Sequence, residues 1–257
     1  MTDFIPTPER QKQILSLLSQ QGRLSVAEIV TQFSISEATA RRDLETLTSQ
    51  GKAQRVHGGV IAVEQAPPEL PILEREGEQA DEKTRIGRAA ASLVGNNETV
   101  FLGSGTTVLE IARHLREHKH LTVITNSLPV LNILAGNQEI TVVSLGGMLR
   151  ESELSFIGHI TEQALSEVRV DKVFMGTRGL SLEHGLTNDY LQETLTDRAI
   201  LKIGRKVLIV ADHTKVNRVA TAWLAPLSQM QTFVTDSKAN KKFVQALKKQ
   251  GISVIVA

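Results

Sequence analysis

No cysteine occurs among the 257 residues. Disulfides and thiolate metal sites are thereby excluded, and a reducing cytoplasm is the expected compartment. No apolar run approaches the ~20 residues that a membrane-spanning helix needs, so no membrane segment is expected. The first ten residues, MTDFIPTPER, lack the basic and apolar blocks of a secretory leader. An excess of charge of one sign is missing too: 29 Lys and Arg face 28 Asp and Glu, a net charge of +1. Composition alone therefore announces no nucleic-acid partner, and such a partner has to be argued from local placement. The seven histidines fall into no HExxH-like spacing. His114, His118 and His120 stand among charged residues on or just after a helix, so neither a metal nor a cofactor is expected. Repeats and low-complexity tracts are absent. What remains is a chain with 41% hydrophobic and 22% charged residues, long enough for two domains and a sizeable core.

Residues 1–63 read as three short helices and a small hairpin. In TPERQKQILSLLSQQG, Thr7 is the expected N-cap, Pro8 the first helical residue and Gly22 the stop, with Ile14, Leu17 and Leu18 as the apolar stripe. Ser25 and Glu28 form a capping box for a second helix. Ser34 or Ser36 can cap a third, which buries Ala40, Leu44 and Leu47 and ends at Gly51. KAQRVHGGVIAV follows as two strands joined at His57-Gly58-Gly59. Residues 64–80 carry three of the seven prolines (Pro67, Pro68, Pro71) among glutamates and read as a linker.

From residue 81 to 257 helices alternate with the runs TVFL, LTVITN, ITVVSLGG, DKVFMG, KVLIVAD, TFVTD and ISVIVA. Several are continuously apolar without period-two alternation, which fits strands covered on both faces. The expectation is an α/β domain built on a mostly parallel sheet.

With Ala40, Leu44 and Leu47 turned inward, a helical wheel points Arg42 away from the core, sets Thr39 and Thr46 beside it and puts Arg41 on the flank. Hydroxyls and guanidinium near a helix N-terminus suit a major groove, where arginine reads guanine or clamps phosphate. Three helices and a Gly-tipped hairpin are the layout of a winged helix-turn-helix, with Arg55 and His57 on the wing. The plainer alternative is a solvated helix whose arginines pair with Glu37 and Glu45, beside an Asp43 that dilutes the charge. Spacing alone leaves both open.

In the second domain, FLGSGTTVLEIA runs strand, Gly-Ser-Gly-Thr-Thr, helix. Backbone N–H groups at such a turn, with the hydroxyls of Ser104, Thr106 and Thr107, form an anion cradle. An ordinary strand-to-helix turn has the same composition. VADHTKV follows a strand, which puts Asp212 and Lys215 near the carboxyl edge of the sheet, where open parallel sheets bind ligands. A solvated loop lysine is the alternative.

The run SEATARRDLETLTSQGKAQRVHGGV resembles the N-terminal signature of the DeoR family of bacterial transcriptional regulators. The shared residues are Ser36, Thr39, Arg41, Arg42, Asp43, Leu44, Leu47, Gly51, Arg55, His57, Gly58 and Gly59. Ala40 departs from it, since the family usually carries a larger aliphatic. The resemblance implies that the third helix enters the major groove, that the hairpin is the wing, and that Asp43 locks an arginine rather than touching DNA. The second domain resembles the sensor of the same family, and through it ribose-5-phosphate isomerase. The matching pieces are Ser104-Gly105-Thr106-Thr107, Thr125-Asn126-Ser127, Gly146-Gly147, Asp171 with Gly176 and Gly179, Glu193, and Asp212 to Lys215.

That likeness implies a phosphorylated sugar effector, with Ser104, Gly105, Thr106, Thr107 and Lys215 at its phosphate and Asn126, Asp171 and Glu193 at its sugar. It also implies a double-stranded DNA operator, a homo-oligomer and control of a sugar catabolic operon. Gly103 stands where the family commonly has aspartate. The alternative is an isomerase-like enzyme with an accessory DNA-binding head, in which Asp171 is the retained acidic residue of the isomerase stretch and Glu193 would act as a base. Fold analogy alone does not carry that chemistry, and no enzymatic activity is expected.

Overall fold

Turn chemistry and one buried ion pair organise the N-terminal unit. The computed structural model describes residues 5–49, 52–56, 58–62, 64–65 and 70–257. The chain divides into two compact units, Met1–Gln65 and Ala66–Ala257. Helix α1 (Thr7–Gln21) starts after Pro6 and ends at Gly22. Thr7 is thus the first helical residue, not the cap, and its hydroxyl accepts from Arg10 at 3.2 Å. Strand β1 (Arg23–Ser25) precedes α2 (Val26–Phe33), whose capping box joins Ser25 and Glu28 as expected. Helix α3 (Glu37–Ser49) follows, then the hairpin β2 (Ala53–Val56) and β3 (Gly59–Ala62). Ile14, Leu18, Ile29, Ala40, Leu44 and Leu47 form the core.

Strand β1, unforeseen in the sequence, adds to the hairpin by pairing Leu24 with Val60. Gly59 makes that possible: a Cβ there would sit 2.1 Å from the Leu24 carbonyl oxygen. Its neighbour Gly58 takes φ +80°, which favours glycine. Both glycines of the motif therefore serve the hairpin's own geometry. Gly51 and His57, expected as a helix stop and a wing contact, lie outside the described residues.

Asp43 is buried, and Arg10 Nε donates to its Oδ2 at 2.6 Å while Gln11 Nε2 donates to its Oδ1 at 3.0 Å. The arginine it locks is on α1, so the pair fixes α3 against α1.

After the short strand β4 (Glu64–Gln65), residues 66–69, with Pro67 and Pro68, lie outside the described residues. The stretch 70–80, read as linker from its Pro and Glu content, is instead built into the second unit. Pro71 precedes helix α4 (Ile72–Arg75), the Ile72 N–H donates to the Ser152 carbonyl at 2.7 Å, and Ile72 and Arg75 are buried. Burial there depends on a partner 80 residues away, which local composition cannot reveal.

The second unit continues through α5 (Ala80–Ala91), β5 (Thr99–Leu102), α6 (Thr106–Leu115), β6 (Leu121–Thr125), α7 (Leu128–Leu134), β7 (Ile140–Ser144) and a ribbon of β8 (Met148–Arg150) and β9 (Ser155–Ile157). Then come α8 (His159–Ser166), β10 (Val170–Met175), β11 (Gly179–Ser181), β12 (Gly185–Asn188), α9 (Leu191–Ile203) and β13 (Gly204–Val210). The chain ends with β14 (Arg218–Val219), β15 (Ala222–Ala225), β16 (Thr232–Thr235), α10 (Lys241–Lys249) and β17 (Ser253–Val256).

The seven expected strands form one parallel sheet ordered β17-β16-β13-β10-β5-β6-β7. Successive residues face opposite layers. Val100 and Leu102 pack with Ile86 of α5, Ile111 of α6 and Leu134 of α7. Phe101 packs on the other face with Leu165 of α8, Ile200 of α9 and Phe243 of α10. Burial on both sides explains the lack of alternation in these runs. β11, β12 and β15 form a separate antiparallel sheet that the sequence did not disclose. Among the described residues no helix is long and apolar enough to cross a membrane, and no group of three or more His, Asp or Glu can hold a metal ion.

Replacing Asp43 by Ala leaves Arg10 buried without its carboxylate. It should destabilise the N-terminal unit by about 3–5 kcal/mol, whereas Arg42→Ala should stay within about 0.5 kcal/mol. Urea unfolding of the full chain, followed by its helical circular dichroism, checks both.

Candidate functional site

Strand order fixes where a ligand can enter the second unit. From β5 the chain builds outward through β6 and β7, and from β10 it builds the other way through β13, β16 and β17. The reversal lies between β5 and β10, and beyond their carboxyl ends the connecting loops diverge and leave a crevice. The loop after β5 carries Ser104 and Gly105, and the loop after β10 carries Gly176, Thr177 and Arg178. All of them line one cleft, with Thr106, Thr107, Asp212, Thr214 and Lys215.

One end of the cleft gathers positive charge. Gly105 takes φ +103° just before α6, and no side chain caps that helix. Its first N–H groups therefore face the cleft at the positive end of the helix dipole. Asp212 is buried and accepts from the Thr214 N–H at 2.9 Å, which sets the turn that carries Lys215. Lys83 of α5 reaches the same cleft, 5% exposed, its Nζ donating to the Arg75 carbonyl at 2.9 Å. Burial pushes its pKa down, against the pull of Asp212, and the neighbouring Lys215 adds to the depression. Helix α5 is held over the strand ends by Lys238, which follows β16 and donates to Glu82 at 2.6 Å.

The other end is acidic and crowded. Glu153, Glu193 and Asp197 are buried there. Glu153 pairs with Arg75, and Glu193 pairs with Arg150 and accepts from Ser155 Oγ at 3.0 Å. Burial, then the Glu193 carboxylate beside it, push the Asp197 pKa well above the ordinary carboxylate range. Asn188 donates to Asp197 from Nδ2 and accepts the Arg178 N–H at Oδ1, 3.1 Å away. These groups can accept and donate hydrogen bonds to several hydroxyls.

Of the expected effector residues, Ser104, Gly105, Thr106, Thr107, Glu193 and Lys215 converge on the cleft. Asn126 and Asp171 do not. Asn126 donates to the Phe156 carbonyl at 3.0 Å and so fixes β9, which carries Ser155; its Oδ1 is buried without a partner. Asp171 lies at the start of β10, where Oδ2 accepts the Thr99 N–H at 3.0 Å and Arg205 lies 3.5 Å from Oδ1. That is the amino edge of the sheet, opposite the cleft.

Gly103 does not take a left-handed φ, and a Cβ there would meet only ordinary contacts, the nearest 3.5 Å away at the Phe174 carbonyl oxygen. A Cβ is therefore accommodated at this position, and packing does not demand glycine there.

Sequence reasoning missed Arg75, Lys83, Arg178, Asn188 and Asp197. For Lys83 and Asp197 a signal existed. Lys83, Ile86 and Ala90 share the buried stripe of α5, and Glu193, Asp197 and Ile200 that of α9. A charge inside an apolar stripe needs an explanation.

On the N-terminal unit, Ser36 accepts the Thr39 N–H at 3.2 Å and lies 2.9 Å from the Thr39 hydroxyl, so Ser36, not Ser34, caps α3. Thr46 donates to the Arg42 carbonyl at 3.0 Å. Arg41 is held by Glu37 at 2.6 Å, an exposed pair of little net worth that a phosphate can displace. Arg42 and Arg55 are exposed.

A family model described as the DeoR-like helix-turn-helix domain matches residues 10–66, and one described as the DeoR C terminal sensor domain matches residues 78–237. The chain belongs to the DeoR family. The glycerol-3-phosphate regulon repressor of Escherichia coli strain K12 is 34% identical over 239 residues, 93% of this chain and 94% of its own length. The transcriptional regulator GolR of Listeria innocua is 30% identical over 249 residues, 97% and 98% of the two chains. A solved ribose 5 phosphate isomerase A from Neisseria gonorrhoeae covers 53% of each chain at 21% identity with a TM-score of 0.39. This DeoR-family chain is thus a DNA-binding transcriptional regulator.

Asp197 generates a prediction. Its raised value means that the folded chain keeps a proton which the unfolded chain releases above pH ~4. Stability is lost as pH rises from there toward the folded value. Asp197→Asn, which can still accept from Asn188, should gain on wild type as pH rises from 5 to 8. Melting temperatures measured across that range decide the point, and parallel curves contradict it.

Proposed function

We propose that the chain represses a sugar catabolic operon and that a phosphorylated sugar, bound in the cleft at the strand-order reversal, governs its hold on DNA. One observation carries the effector class. A single opening joins an uncapped helix N-terminus and two lysines at one end to buried carboxylates at the other. A phosphate suits the first end and a run of hydroxyls the second. One relative's name, for a glycerol-3-phosphate regulon, supports the same class.

In this reading Ser104, Gly105, Thr106, Thr107, Lys83 and Lys215 hold the phosphate. Glu193, with Asp197 and Asn188, meets the polyol. Asn126 and Asp171 act at a distance, through β9 and the sheet edge. The recognition helix is α3. Arg42 reaches a base edge or phosphate, Thr39 and Thr46 flank it, Arg41 exchanges Glu37 for a phosphate, and Arg55 and His57 approach the backbone from the wing. Ser36 contributes by capping α3.

The working species is a homo-oligomer, because paired helix-turn-helix heads read paired half-sites. It acts in the cytoplasm, where its operator lies. The effector shifts the equilibrium only by its different affinities for the DNA-binding and released arrangements.

Two substitutions separate the halves of this reading. Arg42→Ala should weaken binding to the operator by about 1–3 kcal/mol if the side chain reads a base. An unchanged dissociation constant at fixed salt removes Arg42 from the interface. Lys215→Ala should leave DNA binding intact and abolish release by sugar phosphates. A variant released at the wild-type effector concentration refutes the phosphate role of Lys215.

A further inference from the structure

Helix α9 presents two faces. Inward, Glu193 and Asp197 line the cleft and Ile200 enters the core. Outward, Leu191 is 67% and Leu195 57% exposed. Arg198 and Lys202 continue the same stripe at i+7 and i+11 from Leu191. Arg198 extends this face onto β15: its guanidinium lies 5.2 Å from the ring centre of Trp223, and its Nε donates to the Leu224 carbonyl at 3.2 Å. Trp223, the chain's one tryptophan, is 53% exposed. Tyr190, which precedes α9, is 39% exposed.

Such an arrangement is costly in water. These four side chains expose apolar surface on the order of 400 Å², near the largest patch found on typical monomers. A standard interface buries about 800 Å² per partner, a little under two-thirds of it apolar. The face therefore holds most of the apolar area that one side of a stable dimer needs. Leu195, Arg198 and Lys202 share the groove between α8 and α9 with Glu162 and Arg169. A two-fold operation brings such a surface against its own copy, so the two apolar centres cover each other and the basic residues stay at the rim.

We propose that the Leu191–Leu195 face of α9, with Trp223, is the surface through which two copies of this chain associate. The inference rests on the oligomeric regulator proposed above and assigns its interface. Effector and partner copy then touch opposite faces of one helix. A shift of α9 on ligand binding is thereby felt at the dimer axis without any other relay.

Sedimentation velocity of the full chain between ~1 and ~100 μM provides the test. The wild type should dimerise, and Leu195→Glu should raise the dimer dissociation constant at least ~100-fold, a hot-spot effect. Leu191→Glu, at the more exposed position, should act in the same direction. Both sites lie on the surface, so the circular dichroism of the variants should match wild type. Val143→Glu on β7, 39% exposed on the outer strand of the sheet, should change nothing. Trp223 emission should move to shorter wavelength as wild type is concentrated, and not in Leu195→Glu.

A wild type that stays monomeric, a Leu195→Glu variant that sediments as wild type does, or a dimer dissociated by Val143→Glu overturns the inference. Promoter binding by the wild type is scored separately. A chain that dimerises through this face yet retards no promoter fragment sinks the regulator reading alone. Promoter binding with an unaffected Leu195→Glu dimer sinks the interface alone.

Discussion

The second unit depends on one constraint of parallel-sheet topology. Strands added outward in both directions from β5 and β10 leave their following loops pointing apart. The crevice lies at that seam, while helices bury both faces of the sheet. The residues of the candidate site gather there. The N-terminus of α6 meets it from β5, Arg178 from β10, and Asp212 and Lys215 from β13. Helices α5 and α9, packed on opposite faces, supply Lys83 on one side and Glu193 with Asp197 on the other. The polar site is a consequence of how the apolar core is closed.

The fold was legible because its signals are local. Continuous apolar strands between amphipathic helices can be counted, and all seven were found. The cap of α2 and the turn at Gly58 and Gly59 are likewise chemistry of neighbouring residues. What stayed hidden depended on partners far along the chain. Strand β1 is three residues long and exists only because Gly59 lets Leu24 approach. The segment 70–80 looks like linker until Ser152 and Glu153 are seen to receive Ile72 and Arg75. Arg10, the partner of Asp43, lies 33 residues away from it.

The site was half legible for the same reason. Motif residues after strands β5 and β13 fell in the cleft because a parallel sheet puts all such loops on one edge. Asp171 failed that logic: it opens β10 instead of following it, so its carboxylate lies at the opposite edge. Asn126 obeys the logic but spends its amide on Phe156. Its part is to hold β9 so that Ser155 can steady Glu193. Lys83 and Asp197 belonged to no motif, yet each interrupts the apolar stripe of its helix, and that interruption was readable.

Those two interruptions also bear on how a ligand could switch the protein. Burial disfavours the charged form of both, lowering the Lys83 pKa and raising that of Asp197. An ammonium desolvated between Asp212 and Lys215 is stabilised by any anion that enters, and a phosphate brings close to two charges. In the proposed reading that gain would exist only while α5 holds Lys83 at the seam, and an arrangement in which α5 moves away would forfeit it. A difference in affinity between two arrangements is what an effector needs in order to act at all, and the desolvated charge in the apolar stripe of α5 would supply one.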